Sequence, residues 1–112
     1  MSRVPELNRP MVLENRVVSP DTMGGHAVSW EALGTHWCAL VSRAAGLRLL
    51  GDYAQSKGSA RVFLRAVPVD APSRPKTGQR FRDGARVFDI ISATEADADG
   101  RYLECQVNEV QQ

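Results

Sequence analysis

The chain has 112 residues, 43 % of them hydrophobic and 24 % charged, with a formal net charge of +1. That is enough for one domain with its own core, and it excludes wholesale disorder. No apolar run nears the roughly 18 residues of a transmembrane helix, so no membrane partner is expected. MSRVPELNRP also lacks the apolar core of a cleaved export signal.

The near-neutral total hides an uneven distribution. Residues 43–86 hold ten basic residues against three acidic ones, whereas residues 87–112 hold Arg101 against six acids. Such asymmetry suits a chain that meets a polyanion at one place, copies that pack head to side, or two halves that neutralise each other across a sheet.

In chain order, residues 1–10 carry Pro5 and Pro10 and read as an extended N-terminal arm, with a single domain expected over 11–110. Met11 to Ser19 is rich in valine and closed by Pro20-Asp21, which predicts a strand and a turn ending at Gly24-Gly25. Ala27 to Val41 is the longest candidate element. Gly34-Thr35 interrupts any helix there, and Val, Thr and Trp favour a pleated strand, with Gly34 marking a bulge. His36, Cys38 and Leu40 then share one face, and Trp37, Ala39 and Val41 the other.

Residues 43–58 are broken by Gly46, Gly51 and Gly58 and predict a long loop containing a short helix. Ala60 to Val67 alternates cleanly, placing Val62, Leu64 and Ala66 inward and Arg61, Phe63 and Arg65 outward. Pro68, Pro72 and Pro75 end that strand. Gln79 to Arg82 leads into Asp83-Gly84, which predicts a hairpin through a type I′ turn. Arg86 to Ser92 reads as a buried strand and Asp97 to Gly100 as a turn. Arg101 to Asn108 is the last strand, with Leu103, Cys105 and Val107 inward. Five or six short strands joined by Gly/Pro turns predict an all-β, antiparallel barrel or sandwich.

Chemistry is sparse. Cys38 and Cys105 lie far apart in apolar runs and read as buried, reduced thiols; spacing alone does not argue for a disulfide. His36 and Cys38 share a strand face but lack further ligands at a metal-site spacing, so no metal is expected. Asp97 and Asp99 stand before Gly100 without the rest of a calcium loop. No phosphate-binding loop, dinucleotide fingerprint or nucleophile elbow occurs, so neither a catalytic residue nor a cofactor is expected. Arg61 and Arg65 bracket Phe63 on one strand face. That arrangement reads either as a solvated face making a subunit contact or as a surface stacking single-stranded nucleic acid.

The order of these features resembles the head–tail joining (head-closure or stopper) proteins of tailed bacteriophages and gene transfer agents. The matching run is an early strand at Met11 to Val18, Asp21 with Gly24-Gly25, Trp30, Trp37-Cys38-Ala39, the Gly46 loop and Phe63-Leu64-Arg65. It continues with Arg80-Phe81, Gly84, Arg86-Val87-Phe88-Asp89-Ile90 and Arg101-Tyr102-Leu103-Glu104. The match covers about residues 9–110. Cys38 after Trp37, and Leu47 or Arg48 where the family often has an acid after glycine, are departures.

The resemblance implies a small β-barrel that forms a homo-oligomeric ring, sixfold or twelvefold, at the neck of a phage-like particle assembled in the bacterial cytoplasm. Its implied partners are a portal or adaptor protein above, a tail terminator or tail tube protein below, and double-stranded DNA in the channel. It implies a channel or gate loop at residues 43–58, with Arg43, Gly46, Leu47, Arg48, Gly51, Tyr53, Lys57 and Gly58. Arg61, Phe63 and Arg65 are then candidates for subunit or DNA contact. The alternative is a stand-alone single-stranded nucleic-acid-binding barrel.

Overall fold

The computed structural model describes residues 6–42 and 58–110. The expected helix within the long loop, and the positions from Arg43 to Lys57, lie outside the described residues. Six strands form: β1 (Arg9–Pro20), β2 (His26–Ser42), β3 (Ser59–Arg65), β4 (Arg80–Asp83), β5 (Arg86–Glu95) and β6 (Tyr102–Glu109). All pairings are antiparallel, and the order β1-β2-β3-β6-β5-β4 closes on itself as a barrel. Closure removes the exposed edges that a lone small sheet would carry.

Strand alternation builds the core. Met11 and Leu13 of β1, Cys38 of β2, Val62 and Leu64 of β3, Phe81 of β4, Phe88 and Ile90 of β5, and Leu103, Cys105 and Val107 of β6 are all essentially excluded from water. Phe81 and Phe88 are cross-strand partners. Full burial of one such ring contributes about 1.5–3 kcal/mol. Both thiols are buried and free, and burial is the main cause that pushes each up to about 12.

Three local expectations are corrected. Asp83 pairs with Arg86, so the hairpin's central residues are Gly84 and Ala85. Only Gly84 has positive φ, at 61°. A positive φ at the first central position alone makes this a type II′ turn rather than I′. β5 is not buried throughout: its register with β6 slips between Ile90 and Ser92, and the extra residue, Ile91, is turned out to 51 % exposure. Finally, β1 begins at Arg9, inside the stretch read as an arm.

The bulge expected at Gly34 falls beside it. Leu13 pairs with Gly34 and Glu14 with Ala32, which leaves Leu33 as the extra residue. Gly34 holds φ at 142°, a region other residues rarely adopt. Beyond this bulge β1 and β2 leave the barrel. β4 pairs only with Val12 to Glu14, so Asn15–Pro20 and His26–Glu31 pair with each other alone. They form a two-stranded ribbon roughly 20 Å long. Nearly all of its side chains are exposed or half-buried.

Candidate assembly surface

The base of the ribbon is fixed by a polar ladder on the outer face of the barrel. Glu14 pairs across to Arg80, with Val12 opposite Arg82, so alternation puts both arginines on the face away from Phe81. The Glu14 carboxylate accepts from Arg80 Nε at 2.7 Å and from Arg82 Nε at 2.8 Å. Its side chain is only 7 % exposed. Burial pushes the Glu14 carboxyl up, but the hydrogen bonds and charges of Arg82 and Arg80 outweigh it and hold the group below its ordinary value. The Arg80 guanidinium also lies 3.9 Å from the ring centre of Trp30 on the ribbon. One arginine therefore couples the direction of the ribbon, the β1–β2 arm, to the barrel wall.

Among the described residues, four of the seven basic side chains in the chain's basic middle are ion-paired within the molecule. Besides Arg80 and Arg82, Arg86 grips Glu109 with two bonds of 2.8 and 3.0 Å. Arg61 meets Glu104 at 3.4 Å. Of the three readings of the charge pattern, neutralisation across the sheet therefore accounts for these four arginines. Arg16, Arg65 and Lys76 make no ion pair among the described residues.

The sequence-predicted positions separate into two groups. Arg61, Phe63 and Arg65 do share the outer face of β3. Arg61 sits 5.5 Å from the Phe63 ring and Arg65 6.0 Å from the Tyr102 ring. Glu104 stands opposite Phe63 on β6, so a carboxylate lies within the candidate polyanion face. Of the loop positions only Gly58 is described. A Cβ there would meet the Glu109 carbonyl oxygen at 2.7 Å and its nitrogen at 2.9 Å. Gly58 thus lets the loop's end close onto β6, where its carbonyl accepts from the Glu109 N–H.

His36 Nε2 contacts the Ser73 carbonyl at 2.8 Å, and Cys38 Sγ donates to the His36 carbonyl at 3.5 Å. These contacts tie both residues to backbone. Among the described residues no three His, Cys, Asp or Glu side chains gather as metal ligands.

What the surface offers is association. The outer edges of Asn15–Pro20 and of His26–Trp37 carry no ladder partner among the described residues. Unpaired strand edges are templates for another chain. Val18 and Val28 are cross-strand neighbours on the ribbon, each 47 % exposed, and Trp37, Ile91 and the arm-tip Met23 are also open to water.

The model of the phage head completion protein family matches residues 2–110. The chain belongs to that family. Among solved structures, this head completion chain is similar to one in the virion of a native gene transfer agent particle, with 36 % identity and a TM-score of 0.69. The match covers 96 % of this chain and 98 % of that one. Protein SF1141 from Shigella flexneri 2a shares the fold at 18 % identity and a TM-score of 0.67, over 94 % of each chain. A comparison with curated protein sequences found no match. This head completion protein is therefore a structural component of a phage-type particle, and its exposed strand edges are where association with other virion proteins is to be sought.

Proposed function

We propose that the chain is the head–tail connector, or stopper, of a tailed phage or gene transfer agent. It forms a sixfold or twelvefold ring beneath the portal and adaptor. The ring closes the DNA channel after packaging and docks the tail terminator or tail tube protein at the neck of a particle assembled in the bacterial cytoplasm. The observation that carries this reading is the family match over the whole folded domain.

The geometry is in keeping with it. The arm lies at one end of β2 and the 43–58 loop leaves from the other, at Ser42. A 17-residue strand has a contour of roughly 55 Å. One end of the subunit is thus free to meet neighbours, and the role of a gate toward a central bore is assigned to the loop that follows the other end. In this reading Arg43, Arg48 and Lys57 face DNA, and the loop glycines allow the gate to move. The role is passive. Its two thiols are buried and held protonated, so neither is a nucleophile.

Deleting the gene from cells that produce the particle tests this. The expected result is heads that package DNA but lose it and carry no tails, restored by the gene in trans. Tailed, DNA-filled particles at the normal yield would overturn it.

A further inference from the structure

We infer that the tip of the β1–β2 arm, with Met23 as its knob, seats in the groove between the arm's base and the β5 bulge of a second copy of this chain. The inference rests on the ring reading above and names the contact that would build it.

The knob is presented rather than loose. Asp21 Oδ1 accepts from the Met23 and Gly25 backbone N–H groups, both at 2.9 Å, and Gly24 takes φ of 85° to complete the turn. This fixed turn holds Met23 90 % exposed at the end of a ribbon that has no other layer against it. A two-stranded ribbon in water is marginal by itself. An unbranched thioether is suited to filling an irregular apolar recess.

The recess is a groove of about 430 Å³. Where the four residues of β4 end, Thr77, Gly78 and Gln79 line it, bonded to β5 through the Ile90 N–H donating to the Gln79 carbonyl and to β1 through Gln79 Nε2 donating to Asn15 Oδ1. Trp30 supplies apolar lining, and the bulge turns the exposed Ile91 side chain into it. Arg16 of β1 and Asp89 of β5 both stand in the lining, neither with an ion pair among the described residues. Asp21, two residues from the knob, complements the Arg16 wall.

The occupant cannot be the chain's own tip. Pro20 lies four residues beyond Arg16 on the same strand, roughly 13 Å away along a straight ribbon. A second copy supplies it without bending. Tip and groove are different surfaces, so the contact is heterologous, the kind that propagates from copy to copy and closes into a ring when the rotation allows.

The test uses the full chain at about 1 mM with a short bis-maleimide, alongside the mass of the unmodified protein by light scattering. The buried Cys38 and Cys105 leave introduced surface thiols as the reactive ones. The Thr22→Cys, Thr77→Cys double variant should give a covalent ladder. A mixture of the two single variants should give dimers, and either single variant alone only monomers. Met23→Asp, at an exposed turn, should keep the fold and weaken association at least tenfold. Oligomers without this cross-link, or dimers from Thr22→Cys alone, would overturn the tip–groove contact and leave the ring reading standing. No self-association at all would remove both.

Discussion

Glu14→Gln replaces the carboxylate at the root of the arm with an amide of the same shape. In the native fold that carboxylate takes one hydrogen bond from each of two guanidinium groups. A hydrogen bond to a charged group contributes about 1.5–3 kcal/mol. The amide keeps one acceptor oxygen, so one arginine retains a weaker, uncharged partner and the other loses its own. Arg82, 42 % exposed, recovers part of this from water; Arg80, at 21 % and packed on Trp30, recovers less. The net loss is expected at about 2 kcal/mol, on the order of 10 °C in Tm for a domain of this size.

The pH dependence has a definite sign. The folded carboxyl titrates below its ordinary value of 4.5. Its contribution is therefore complete above that value and is lost as pH falls through the lower, folded one. Urea melts of both proteins from pH 7 downward should show a gap that is widest at neutral pH and narrows on acidification. A gap below about 0.5 kcal/mol at pH 7, the size of an ordinary surface substitution, would refute the reasoning, as would a gap that does not change with pH.

Three further outcomes are expected. Gly58→Ala drives a methyl group into the Glu109 backbone, and should cost about 1–3 kcal/mol in a denaturant melt by prising β3 from β6; an unchanged midpoint would contradict the close approach. Native protein at pH 8 should leave Cys38 and Cys105 unreacted toward a chromogenic disulfide, and both should react once urea unfolds the chain; rapid native labelling would show the thiols to be accessible. Arg48→Glu with Lys57→Glu should alter DNA retention by particles while the purified protein melts as before; normal retention would count against the gate assignment.

Much of the barrel was legible because its strands alternate. The inward set Val62, Leu64, Leu103, Cys105 and Val107 follows from period-two reading, and all five are buried. What alternation cannot reveal is where an extra residue breaks the period. Ile91 looks like a core residue in sequence and becomes a surface residue through a one-residue slip against β6. The arm was hidden for a related reason. The length of β1 and β2 could be read, but β4's reach could not, and it is the shortness of β4 that leaves Asn15–Pro20 unpartnered on one side. The Glu14 ladder carried a faint signal, since Arg80 and Arg82 flank Phe81 and must share its opposite face. Their carboxylate partner lies more than sixty residues away, and only barrel closure brings it there.

The most direct measurement is an image reconstruction of intact particles that contain this chain, focused on the junction of head and tail. The account predicts a closed ring of its barrels between the portal assembly and the first tail ring, with residues 43–58 directed at the DNA axis. Density for the chain elsewhere in the particle, or none at that junction, would contradict it.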